Sequence, residues 1–126
     1  MDHEHRVAYK VYYEDTDSLG VVYYANYLKF LERGRTEFVG TRGRPIQEWN
    51  RDGFYFVVYE LSMKFKRSAR LGDTLDVVSS FRLDSAYRGR FSQRLECEGV
   101  LHVQAEVDVV CIDAQQQLRE FPSFGA

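Results

Sequence analysis

The chain has 126 residues, and its 17 Lys and Arg against 19 Asp and Glu give a formal net charge of −2, which leaves no general basic field to attract nucleic acid. A composition of 44% hydrophobic and 15% aromatic residues suffices for a packed core, and 29% charged residues do not push the chain toward disorder. A chain of this length buries roughly two-thirds of its unfolded surface on folding, so a single domain over residues 1–126 is expected.

At the start, Met1 to Arg6 lead directly into a strand-like stretch, with no apolar h-region and no run near the ~18 apolar residues that a membrane span needs. A cytoplasmic protein without a membrane span is the expectation. His3 and His5 have a spacing that can hold a metal, yet beside a chain end they read as solvated histidines. Residues 7–13 are rich in β-branched and aromatic side chains and predict a first strand, and the polar residues 14–20 end it.

Residues 26–41 predict a helix. Tyr27, Leu28, Leu31, Gly34 and Phe38 fall at helical spacing, with Lys29, Glu32, Arg33 and Glu37 opposite. Gly34 costs about 1 kcal/mol of helix propensity relative to alanine; its place on the inner stripe predicts a close backbone approach to a partner. Gly40 and Gly43 are stop signals, and Arg42 suits the negative end of the helix dipole.

After Gly53 the chain alternates. Tyr55, Val57, Tyr59, Leu61, Met63 and Phe65 form one predicted face of a long strand, with Glu60, Ser62, Lys64 and Lys66 opposite. The pattern repeats through Leu75, Val77, Phe81 and Leu83, through Phe91, Leu95 and Cys97, and through Leu101, Val103, Ala105, Val107, Val109 and Cys111. Short links at 70–73, 84–89 and 98–99 predict an antiparallel meander. The outline is an α+β fold: a strand, one long helix, then four antiparallel strands curling round that helix. Cys97 and Cys111 sit within alternating runs, outside any CxxC spacing, and read as buried free thiols with no metal to hold.

Chemistry concentrates before the helix. Glu14-Asp15-Thr16-Asp17 places three carboxylates in four positions, which taken alone reads first as a solvated acidic loop. The segment Gly20-Val21-Val22-Tyr23-Tyr24-Ala25-Asn26 then enters the helix, whose first N–H groups lack internal partners and sit at the positive end of its dipole. Such an end can polarise a carbonyl, and a loop carboxylate beside it can act as nucleophile or as general base toward water. Other plans are missing: there is no GxSxG elbow, GxGxxG or P-loop, and His102 lies on an alternating strand, where it reads as exposed.

The run Tyr12-Tyr13-Glu14-Asp15-Thr16-Asp17-Ser18-Leu19-Gly20-Val21-Val22-Tyr23-Tyr24-Ala25-Asn26-Tyr27-Leu28-Lys29-Phe30-Leu31-Glu32-Arg33 resembles the hotdog-fold acyl-CoA thioesterases of the 4-hydroxybenzoyl-CoA thioesterase type, especially the Tol-Pal-associated subgroup. The likeness continues through Phe56-Val57-Val58, Arg70-Leu71-Gly72-Asp73 and the final strand. It implies a five-stranded, possibly six-stranded, antiparallel sheet wrapped round one long helix, and hydrolysis of acyl-CoA to free acid and CoA without a cofactor.

Carried over residue by residue, the resemblance makes Asp17 the catalytic carboxylate and Asp15 structural, and gives the Tyr24 backbone N–H the role of polarising the thioester carbonyl. Asn26 and Tyr27 would shape or cap that entrance, with Val57 and Val58 as further substrate-binding positions. Arg88 and Arg90, placed in the turn before the fourth strand, match a basic segment for CoA phosphates, and Lys66, Arg67 and Arg70 form a second basic cluster. Many Tol-Pal-associated members carry histidine where this chain has Tyr24. Homodimers or homotetramers with paired sheet edges are implied as well. Two alternatives stay open: an acyl-CoA-binding or interaction module without turnover, and a hydratase or dehydratase on the same fold.

Overall fold

Val7 and Tyr9 turn inward from the first strand, β1 (His5–Lys10), in a computed structural model that describes residues 4–123. The reading of His3 falls outside those residues. His5 is half-buried rather than solvated: its ring stands edge-on to Phe38 at 6.3 Å. β1 also stops short of the expected 7–13. The Val11 N–H donates to the Asp73 carbonyl (2.8 Å), Gly72 donates back to Val11 (3.1 Å), and the chain turns into a short 3-10 segment, Tyr13–Asp15.

The helix α1 (Tyr27–Gly40) follows a second 3-10 turn, Tyr24–Asn26, and buries Tyr27, Phe30, Leu31, Gly34, Phe38 and Val39. Leu28, expected inside, is exposed; it stands about 100° round the helix from Tyr27, off the stripe that Phe30 and Leu31 complete. The close approach expected at Gly34 is present. A Cβ there would lie 2.3 Å from Val77 Cγ1, so the helix rests its backbone on the sheet. Gln93 braces the same contact, donating from Nε2 to the Leu31 carbonyl (3.0 Å) and to Ser79 Oγ (2.9 Å). Such a buried amide is tolerable because its N–H groups are satisfied.

A second helix, α2 (Ile46–Arg51), was not foreseen: six residues are too few to show a helical period. Trp49 anchors it, buried and edge-on to Phe54 at 5.4 Å. Four strands follow, β2 (Tyr55–Phe65), β3 (Thr74–Leu83), β4 (Arg88–Cys97) and β5 (Val100–Ile112), in one antiparallel sheet of order β1-β3-β4-β5-β2. The predicted meander holds for β3, β4 and β5. It fails for β2, which pairs with β5 at the sheet edge, so residues 66–73 cross the end of the sheet to reach β3.

The predicted face of β2 fails too. The register slips between Val58 and Glu60, and this bulge reverses the phase: Phe56 and Val58 pack on the core before it, Met63 after it, while Val57, Tyr59, Leu61 and Phe65 are exposed. Inside lie Leu75 and Val77 of β3, Phe91 and Leu95 of β4, and Val103, Ala105, Val107 and Val109 of β5, against the α1 stripe. This is the single long helix on a five-stranded antiparallel sheet that the sequence implied. Among the described residues no helix is long and apolar enough to cross a membrane.

Candidate active site

The acidic loop splits into one buried and one displayed carboxylate. Asp15 is 4% exposed, and its carboxylate and its carbonyl both find hydrogen-bond donors there. Its Oδ2 accepts the Tyr12 N–H (2.9 Å), and its carbonyl accepts both the Tyr23 N–H (3.1 Å) and Asn26 Nδ2 (3.0 Å). Asp15 is therefore the structural residue of the pair. Asn26 acts by pinning this loop to the helix start, and its side chain caps no helix N–H.

Asp17, by contrast, is exposed at the start of a tight reversal. Its N–H donates to the Val21 carbonyl (2.9 Å), its own carbonyl accepts from Gly20 (3.1 Å), and Thr16 bridges Val22. Gly20 makes the turn at φ +80°, a left-handed conformation that favours glycine. One carboxylate oxygen, Oδ1, accepts the Leu19 N–H (2.8 Å), which fixes the side chain and leaves Oδ2 without a partner among the described residues.

The reversal delivers the chain to the helix start. Tyr24 opens the 3-10 turn, and its N–H has no acceptor among the described residues, as the first N–H of a helical segment should not. The connection 66–73 forms the opposite wall. Val22 donates to the Ala69 carbonyl (2.8 Å), Arg70 bridges Val21, and the Ala69 N–H donates to the Tyr27 hydroxyl (3.0 Å). Burial pushes the Tyr27 phenol above its ordinary value, so it stays a neutral strut between helix and connection. Between these walls lies a cavity of about 290 Å³ lined by Tyr24, Tyr27, Phe65, Lys66 and Arg67 among others; Asp17 is not among its lining residues. Phe65 closes it with its ring 5.8 Å from that of Tyr27 and 6.3 Å from that of Tyr24.

The other predicted residues fall elsewhere. Val57 and Val58 line a second cavity of about 440 Å³ between α1 and β2, with Phe91, Val109 and Arg35. Sequence reasoning missed Arg35. Its Nη1 donates to Gln93 Oε1 (3.1 Å), and burial lowers its pKa from the ordinary arginine value, against the pull of Glu32. Arg88 and Arg90 belong to β4 itself rather than to the turn before it. Arg88 lies over the Tyr59 ring, and Arg90 grips Asp108 with two hydrogen bonds (2.6 and 3.0 Å) that hold the Asp108 carboxyl below its usual range. They pair with Val110 and Asp108 of β5, whereas Phe65 pairs with Val103. At about 3.4 Å per residue, roughly 17–24 Å separates the two basic clusters within one chain.

Lys66 and Arg67 thus stand beside Tyr24, and Arg67 and Arg70 also line a third cavity, of about 490 Å³, with Asp73, Cys97 and His102. His102 corrects the sequence reading: it is 8% exposed. Cys111 is buried as expected, but Cys97 is only partly so, and both are free. Burial, followed by the Asp73 and Glu98 carboxylates, raises the Cys97 thiol, and burial pushes Cys111 up to about 11.

Residues 11–125 match the family model of the thioesterase-like superfamily. The chain is 40% identical over 108 residues to the acyl-CoA thioester hydrolase YbgC of Escherichia coli O6:H1, covering 82% of this chain and 78% of that protein. Among solved structures, a probable thioesterase from Bartonella henselae superposes with a TM-score of 0.83 at 30% identity, over 94% of this chain and 98% of that one. A 1,4-dihydroxy-2-naphthoyl-CoA thioesterase from Synechocystis shares the fold at a TM-score of 0.86 and 22% identity, over 95% of this chain and 90% of that one.

Proposed function

The chain belongs to the thioesterase-like superfamily, and from that premise we propose that it hydrolyses acyl-CoA thioesters with Asp17 as the catalytic carboxylate. The observation that carries the reading is the pairing of an exposed, backbone-fixed Asp17 with an open Tyr24 N–H across one short reversal. The thioester carbonyl oxygen accepts the Tyr24 N–H, and the α1 dipole adds to the pull on the charge that develops there. Asp17 Oδ2 either attacks the carbonyl carbon or takes a proton from a water that does. The carbon–sulfur bond breaks and CoA leaves as its thiolate and is protonated; on the general-base route water supplies the second oxygen of the free acid directly, and on the direct route water cleaves the acyl–aspartyl anhydride at the Asp17 carboxyl carbon, releasing the acid and restoring the carboxylate.

In this reading no group beyond the chain, water and the substrate takes part, and CoA enters only as part of the substrate. Tyr24 contributes its backbone, so a side-chain base at that position is not required. Asn26 and Tyr27 hold the entrance rather than touch the acyl group, Lys66 and Arg67 sit at the mouth for phosphate, and Val57 and Val58 line the acyl side. We place the protein in the cytoplasm, a setting that suits two free thiols.

Two subunits joined along β2 complete this picture. That strand pairs only with β5 among the described residues, and it exposes Val57, Leu61 and Phe65. Exposed apolar edges invite pairing, and a closed homodimer, or a homotetramer of such dimers, satisfies them. A partner chain would also let Arg88 or Arg90 approach the Tyr24 cavity, from which they are far removed within one chain.

Asp17→Asn tests the mechanism. With folding and assembly unchanged, thiol release from an acyl-CoA panel is expected to fall at least about 100-fold. Hydrolysis at the parent rate sinks the assignment. Single turnover in heavy-oxygen water then separates the two routes, because water that cleaves an anhydride at the aspartyl carbon leaves its label on the Asp17 carboxylate, whereas the general-base route puts it in the free acid.

A further inference from the structure

Three side chains of different donor type meet at the end of the sheet away from Arg88 and Arg90. β4 ends at Cys97, the chain reverses through Glu98 and Gly99, and β5 returns with a slip in register: Leu95 pairs with Val103, but Glu96 pairs with Leu101. His102 is the extra residue. A bulge re-aims the side chain it inserts, and here it is turned in to 8% exposure beside Cys97. Its carbonyl is meanwhile held by the N–H groups of Lys66 and Arg67 (2.8 and 3.1 Å). Asp73 arrives from the other side at the entry to β3, fixed by Arg70 N–H to Oδ2 (2.9 Å) and by Val11 N–H to its carbonyl. A Cys97 sulfur, a His102 ring nitrogen and an Asp73 carboxylate oxygen all lie within 4.8 Å of one another.

We propose that Asp73, Cys97 and His102 bind a zinc-class divalent ion, with its fourth position open to the 490 Å³ cavity. The His102 Nδ1 stands 2.9 Å from the Val100 carbonyl. That acceptor keeps the proton on Nδ1 and leaves the Nε2 lone pair for a ligand, the support that metal-binding histidines commonly have. Thiolate and imidazole together select zinc-like ions over magnesium or calcium, which take oxygen donors. Metal–ligand bonds of about 2.0–2.3 Å put tetrahedral donors about 3.3–3.7 Å apart, so these three need to close by roughly 1 Å. That closure is the movement that binding requires.

The charges of the ligand set also balance. One thiolate and one carboxylate neutralise a divalent ion, and Glu98 adds a carboxylate to the cavity lining that Arg67 and Arg70 share. On binding, the Cys97 thiol gives its proton to solvent and its sulfur bonds the metal. The ion then ties the start of β3 to the β4–β5 hairpin and braces the connection 66–73, which carries the Ala69 N–H that holds Tyr27. This site stands independently of the thioester chemistry, since it uses neither Asp17 nor Tyr24.

The full chain, stripped with a chelator and titrated with Co²⁺ and then Zn²⁺ at neutral pH, tests it. One ion per chain is expected, with a thiolate-to-cobalt charge-transfer band that imidazoles elsewhere in the chain cannot produce. Cys97→Ser should abolish the band, and His102→Gln should weaken Zn²⁺ binding by about 10- to 100-fold. No band, or a band that survives Cys97→Ser, overturns the proposal. Alkylation of the unaltered chain guards against variants that fail to fold: stoichiometric Zn²⁺ should shield Cys97 from the reagent, and an unchanged rate of Cys97 modification also overturns it.

Discussion

Beneath α1, side chains on the inner face of β3 and β4 disappear from solvent: Leu75, Val77, Phe91 and Leu95 are buried, and the Gly34 backbone rests on Val77. On β2 the same kinds of residue stay outside. Val57, Leu61 and Phe65 are exposed, Leu28 of α1 is exposed with them, and a bulge at Tyr59 breaks the alternation. Both regions carry apolar surface to be buried, but only the first has found its whole cover within the chain. The difference teaches that apolar alternation reports a demand for burial, while the partner that meets it has to come from the tertiary arrangement or from another chain.

Gly34→Ala strikes the covered half and should have the largest effect. A Cβ 2.3 Å from Val77 Cγ1 forces α1 off the sheet, at a cost of about 1–3 kcal/mol in urea unfolding. An unchanged midpoint would mean that the helix rides higher than described. Leu61→Ser strikes the other half. It should weaken the self-association proposed above about tenfold by sedimentation, while shifting the unfolding of the separate chain by less than about 0.5 kcal/mol. A large loss of single-chain stability would instead place Leu61 in the core and erase the contrast.

Asp108→Asn is the smallest perturbation, on the outer face where β4 meets β5. The Asp108 carboxyl is held below its usual range by Arg90, so the stability it contributes is full above the ordinary aspartate range and is lost as pH falls through the depressed value. The variant should be slightly less stable than the parent at neutral pH, and the gap should close in acid. A gap that persists there would mean that packing rather than charge distinguishes the two.

The same contrast explains what the sequence made legible. The α1 stripe, the close approach at Gly34 and the three strands β3 to β5 follow from periodicity and short links, which are local properties. The end of β1 at Lys10 was illegible because it is set by Val11 pairing with residues 72–73, far along the chain. α2 hid behind its brevity, and the phase of β2 behind a one-residue bulge. In the site, three adjacent acids looked alike in sequence; what separates Asp15 from Asp17 is the set of backbone groups that folding brings to each. Arg35 and the Tyr27 hydroxyl gave no signal, since each acts through partners more than forty positions away. His102 was misplaced for the reason β2 was: an inserted residue shifts the side of the sheet that it faces.

Asp15 has one more consequence, in time rather than space. Surface loops usually reorganise in nanoseconds to microseconds. Here the ties from Asp15 to Tyr12, Tyr23 and Asn26 fasten the loop that leads to Asp17 onto the helix start, and releasing them together amounts to local unfolding there, on the slower scale of microseconds to seconds. A substrate that arrives and leaves faster than this meets the Asp17 carboxylate and the open Tyr24 N–H already set at a fixed separation, visit after visit.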